Sequence, residues 1–186
     1  MTHTQFTLVL LLLLGCDAAV TGQATQATKP RTAAQIVRDV IAQTERELTG
    51  IAEEMPADKY DFAPTQGAFR GVRTFAAQVK HAAAVHYLIA AGLLGEAITA
   101  DMAEERGPDS VKTKAEVLTY LKSSFVALNR AAAIIDDKNA FTPLKGAGGS
   151  APDTRMGAML VALTHSSNHY GQLVEYLRMN GHVPPQ

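Results

Sequence analysis

The chain has no tryptophan, and aromatic residues make up only 6% of it. That argues against a broad base-stacking surface for single-stranded nucleic acid. An excess of one charge is missing as well. Lys plus Arg number 17 and Asp plus Glu 18, for a formal net charge of −1. A nucleic-acid binder driven by electrostatics would show a basic surplus. The single cysteine, Cys16, excludes an internal disulfide framework and a cysteine-based zinc cluster. Sustained period-two alternation between hairpin turns is absent, so strands are not expected. Several catalytic signatures are absent too: E-x-x-H of di-iron bundles, H-E-x-x-H, the G-x-S-x-G elbow and the Walker A loop. Gly146-Ala147-Gly148-Gly149 follows no strand and reads as a loop, not a phosphate cradle.

What remains is a globular composition. Hydrophobic residues make up 47% of the 186 and charged residues 19%. This suits one domain with a real core. The longest apolar run, Phe6 to Gly15, is shorter than the roughly 20 residues a membrane span needs. It suits the apolar centre of an export signal. The run ends Leu13-Leu14-Gly15-Cys16, which resembles a bacterial lipobox with Cys16 as the lipid-bearing first mature residue. The first five residues depart from a usual signal in carrying His3 but no Lys or Arg. A plain secretory signal cut near the alanines after Asp17 is the other reading. Residues 1–15 are therefore expected to be a signal peptide and 16–31 a flexible tether rich in Ala, Thr and Gln. The domain at 32–186 is expected in the cell envelope, on a membrane surface through a lipid anchor or free in the periplasm or medium.

Four amphipathic segments follow. Thr32-Ala-Ala-Gln35 fits a capping box, and Val37, Val40, Ile41, Leu48, Ile51 and Met55 keep helical spacing until Pro56. Residues 59–71 are dense in turn formers. The second helix is expected from Thr74 to Leu94, with stripes Phe75–Val79–Ala82–His86–Ile89–Leu93 and His81–Val85–Leu88. No Asp, Glu, Lys or Arg lies between Lys80 and Glu96, so this helix is buried on most sides. Gly107-Pro108-Asp109 is a break. Thr113-Lys-Ala-Glu116 caps a third helix carrying Leu118, Leu121, Phe125, Leu128, Ala132 and Ile135. After a loop at 137–152, Asp153 is expected to cap a last helix with the stripe Met156, Leu160, Leu163, Ser167, Tyr170, Val174 and Leu177. Gly181 ends it. The fold class is an all-α four-helix bundle.

Six histidines are present. His165 and His169 are one helical turn apart, about 40° around the axis, so both rings project from one face and can share a metal ion. Imidazole suits zinc, nickel, iron or copper. The same spacing also occurs among packed or surface histidines. Periodicity does not select a third ligand. His81 and His86 differ by about 140° and do not serve one ion together.

Two segments carry a resemblance. Asp58 to His81 reads DKYDFAPTQGAFRGVRTFAAQVKH, and His165 to Pro185 reads HSSNHYGQLVEYLRMNGHVPP. Both are similar to the DinB-like (damage-inducible) family of metal-binding four-helix bundles, over roughly residues 32 to 185. The resemblance implies a three-histidine site for one divalent ion, which falls on His81, His165 and His169. His86 is then either a core histidine or a pocket residue near the metal. Asn168 departs from relatives with an acidic residue before the second histidine of the pair. Some family members resemble thiol-dependent transferases and isomerases, but an exported domain meets fewer reduced thiols. Tyr170, Ser166 and Gln172 neighbour the ligands and otherwise read as packing residues. The functional expectation is an exported metal-binding protein with zinc, nickel or iron, acting as a hydrolase or transferase on an unknown small molecule. The alternative is a non-catalytic metal-binding or stress-related module. A homodimer is compatible with the uncharged second helix.

Overall fold

A computed structural model describes residues 30–144 and 153–185. The expected signal segment, Cys16 and the tether as far as residue 29 lie outside the described residues, as does the glycine run at 146–149. The described residues hold five α-helices, one short 3-10 helix (Ala57–Lys59) and no strand: α1 (Ala33–Glu54), α2 (Phe75–Leu94), α3 (Ala100–Ala103), α4 (Lys114–Ala133) and α5 (Arg155–Met179). None is long and apolar enough to cross a membrane.

Both capping boxes form. The hydroxyls of Thr32 and Thr113 accept from the amides of Gln35 and Glu116, whose side chains accept from the cap amides in return. Each box satisfies amides that a helix start leaves unpaired. The last turn of α1 is closed from outside: Lys114 Nζ donates to the carbonyls of Glu53 (2.6 Å) and Met55 (2.7 Å). α2 begins against the preceding loop. Phe75 N donates to Phe62 O and Ala76 N to Tyr60 O, each at 2.8 Å. The Tyr60 ring meets Phe75 edge-on at 5.2 Å, and its hydroxyl donates to Ala52 O.

α1 packs on α4 and α5, and α2 packs on α4 and α5, so α1 and α2 are diagonal partners across the bundle. Ile41, Leu48, Phe75, Leu121, Phe125, Leu128, Met159 and Leu173 fill the centre with no more than 1% exposure. Burial on this scale is the main stabilising term.

Four sequence expectations need correction. α3 is an additional short helix before the Gly107-Pro108 break. The cap of α5 is Thr154, not Asp153: the Thr154 hydroxyl accepts from Gly157 N. Met156 N, which an Asp153 cap would have served, donates to Ala140 O instead. Of the expected α5 stripe, Leu163, Val174 and Leu177 are buried, but Leu160 is 54% exposed and Ser167 is exposed, and the innermost row also takes in Met159, Ala162, Ser166, His169 and Leu173. Polar Ser166 and His169 hide this row from a reading by hydropathy. On α1, Val40 is likewise 41% exposed beside fully buried Ile41.

Thr113 opens the helix that packs against both α1 and α2. Thr113→Ala is expected to lower unfolding free energy by about 1 kcal/mol, read from urea denaturation midpoints at an unchanged m-value.

Candidate metal centre

α2 and α5 face each other, and their contact seam carries three histidines. His81 comes from α2, and His165 and His169 from successive turns of α5. One ligand atom from each lies within 4.8 Å of the others. His165 Nε2 is 3.1 Å from His81 Nε2 and 3.0 Å from His169 Nε2. The rings meet at steep angles, with centroids 4.3 to 4.8 Å apart. Edge-on packing turns the ε-nitrogens inward.

The outer nitrogens show which form each ring takes. His81 Nδ1 is 2.6 Å from the Glu105 backbone carbonyl. A carbonyl only accepts, so Nδ1 carries the hydrogen and Nε2 presents a lone pair to the cluster. The carbonyl is aimed by an uncommon backbone: Glu105 has φ +53, a left-handed conformation a non-glycine residue adopts at a cost. Lys80 Nζ ties the following loop to α2 by donating to Pro108 O (2.7 Å) and Val111 O (3.1 Å). Sequence reasoning did not find Glu105, whose role is carried by its main chain. The Gly107-Pro108 break two residues on was the only local sign.

His169 Nδ1 lies 2.6 Å from the Gln78 side-chain amide. Gln78 Nε2 donates to Gln172 Oε1 (2.6 Å), and Gln172 Nε2 donates to Asn168 Oδ1 (2.5 Å). A half-turn of an amide exchanges its oxygen and nitrogen with little change of shape. With the three amides reversed together, Gln78 Oε1 accepts from His169 Nδ1–H and frees Nε2 to bind an ion. Gln172 is thus more than a surface residue. Tyr170, by contrast, makes no side-chain hydrogen bond within the described residues.

His165 Nδ1 is buried with no partner among the described residues. Its Nε2 faces two other ε-nitrogens near 3 Å, and lone pairs that close repel unless a proton or cation lies among them. Ligands at about 2.0 to 2.1 Å from one first-row ion sit at about this mutual separation. The donor set fits a divalent ion. Burial, reinforced by the neighbouring histidines and Arg73, lowers His165 to about 4 and His169 to about 3. Burial also lowers His81, against the pull of the Glu105 carbonyl. All three are neutral at pH 7, which is the form that binds metal.

His86 stands behind this cluster and not in it. It is fully buried, 2.9 Å from Ser124 Oγ and 2.6 Å from Ser166 Oγ, with its ring 4.6 Å from that of Phe125. Burial lowers it to about 3. Both serines also lie within donating distance of backbone carbonyls, Leu121 O and Ala162 O. A neutral ring has one N–H, so one serine accepts from His86 and the other turns its hydrogen toward it. These contacts describe a hydrogen-bonded core histidine.

A family model described as the DinB superfamily matches residues 41–173. The match covers more than half of the chain, which belongs to that superfamily. No match is found among curated proteins.

Two outcomes follow from this geometry. The metal-free protein should lose stability as pH falls from about 6.5 toward about 4 in thermal unfolding scans. The unfolded histidines take up protons near 6.5, while the buried ones resist protonation down to about 3 to 4. Gln78→Ala should weaken zinc affinity by about tenfold or more in a chelator competition, because His169 loses the partner that fixes its tautomer.

Proposed function

We propose that this DinB-superfamily protein holds one divalent transition metal ion on His81, His165 and His169. Its role there is hydrolysis or group transfer on a small molecule. The observation that carries this reading is the convergence of three neutral ε-nitrogens from two helices onto one point, with His81 and His169 buried and His165 partly so. Such an ion acts as a Lewis acid toward a polarisable group of the substrate.

The protein's own groups do the positioning. Glu105 O holds His81 by its Nδ1–H, and Gln78 does the same for His169. Burial keeps the rings uncharged. Among the described residues no carboxylate adds a ligand atom to the three histidines; the Glu105 carboxylate lies 3.8 Å from the outer nitrogen of His81. Three ligands leave room for a non-protein ligand, which is typical of catalytic sites and not of closed structural ones. Zinc, nickel and iron all suit three imidazoles. The lipobox-like segment ending in Cys16 supports placing this chemistry in the cell envelope, with the domain tethered to a membrane surface.

Elemental analysis of the full chain, prepared without a histidine tag, tests the proposal. About one ion per chain is expected, lost in His169→Ala while circular dichroism stays helical. A wild-type chain that retains no ion after incubation with zinc, nickel or iron, and gains no thermal stability from any of them, would overturn it.

A further inference from the structure

A cleft of about 710 Å³ opens between the loop before α2 and the C-terminal half of α5. Its wall includes Gln78, whose amide reaches His169 Nδ1, and Gln172, which is hydrogen-bonded to Gln78. The rest of the wall is uneven in chemistry. Phe69, Val72 and Met179 are large apolar side chains left 38% to 53% exposed, and all three line this one cleft. A second hollow of about 310 Å³ shares Pro64 and Met179 with it and continues the apolar surface to Phe62.

Two charged residues line the cleft, Arg73 and Glu175. Glu175 is held by Arg178 at 3.0 Å. Arg73 has no carboxylate partner among the described residues. Its backbone is fixed, because the Tyr176 hydroxyl donates to Arg73 O at 3.1 Å. The start of α2 does not compete for an anion. The amides of Phe75, Ala76, Ala77 and Gln78 already donate to Phe62 O, Tyr60 O, Thr74 Oγ1 and Thr74 O. The cation this cleft offers is therefore one guanidinium, beside an apolar wall.

We infer that the cleft binds a small carboxylate with an apolar body, Arg73 holding the carboxylate while Phe69, Val72 and Met179 cover the apolar part. A planar guanidinium matches a carboxylate through two parallel hydrogen bonds. One free positive charge suits a monoanion, whereas a phosphate dianion would call for further donors. The amides of Gln78 and Gln172 bring the bound molecule beside the histidine cluster. The assignment of this molecule as a substrate rests on the proposed metal function. The binding itself does not.

Titration of the full chain with hexanoate, followed by amide shifts in ¹⁵N–¹H spectra, tests the inference. Hexylamine and inorganic phosphate serve as controls. Titrations are run on zinc-loaded protein and on chelator-treated protein, with zinc content measured in parallel. Saturable shifts are expected at residues 69–73 and 172–179 with hexanoate, and not with hexylamine or phosphate. Arg73→Gln should weaken hexanoate binding about tenfold. Phe69→Ser should weaken it as well, and Arg73 and Phe69 are both exposed enough for the fold to tolerate the changes. Binding that is unchanged by Arg73→Gln overturns the inference. So does binding that vanishes on zinc removal and ignores Arg73, because the ion then holds the carboxylate. Absent hexanoate binding in a chain that carries its zinc overturns the inference and leaves the metal reading intact. Arg73-dependent binding in a chain that takes up no zinc supports the cleft while the metal reading falls.

Discussion

Three uncharged imidazoles packed into the seam between α2 and α5 set the terms for the structure around them. A buried polar ring needs a hydrogen-bond partner or an ion, since burial without one costs on the order of 1 to 3 kcal/mol. Each neighbouring element meets part of that demand. The backbone at Glu105 turns left-handed and brings its carbonyl to His81. Gln78, itself 3% exposed, serves His169 and is braced by Gln172. Ser124 and Ser166 take care of His86 in the layer behind. What the protein leaves unmet is concentrated on the inward nitrogens and on His165 Nδ1. A site built this way favours the neutral, metal-binding form of histidine at ordinary pH.

The loop from residue 60 to residue 74 links this seam to the surface. Its carbonyls at Tyr60 and Phe62 close the first turn of α2, and that fixes where Arg73 emerges. The same loop supplies Phe69 and Val72 to the cleft, while α5 supplies Gln172, Glu175, Tyr176 and Met179. α5 thus contributes to both places, with His165 and His169 in the cluster and the cleft wall about one to three turns beyond His169. The loop is rich in turn-forming residues because it must pair its backbone with a helix start and still leave the cleft open.

Much of this was legible in the residues. The capping boxes at Thr32 and Thr113 mark two helix starts, and His165-x-x-x-His169 places two rings on one face. The choice between His81 and His86 was not open to periodicity, because both lie in a helix buried nearly all round. Tertiary packing separates them: His81 turns to α5, and His86 to the serines. Hydropathy found only part of the inner face of α5: Leu163, Val174 and Leu177 are buried, but the same face contains Ser166 and His169, and apolar Leu160 lies outside. Thr154 displaced Asp153 as cap because Met156 N is taken by Ala140 O. Main-chain roles such as that of Glu105 leave little trace in residue type.

The proposed site requires that His81, His165 and His169 meet one ion through Nε2. Histidine ring ¹⁵N spectra of the full chain, recorded during a zinc titration, test it most directly. These three rings are expected to settle as Nδ1–H forms, with their Nε2 signals moving together and saturating at about one equivalent. His86 should keep its signals. Rings that ignore zinc, or a zinc response carried by His86 in place of His81, would contradict it.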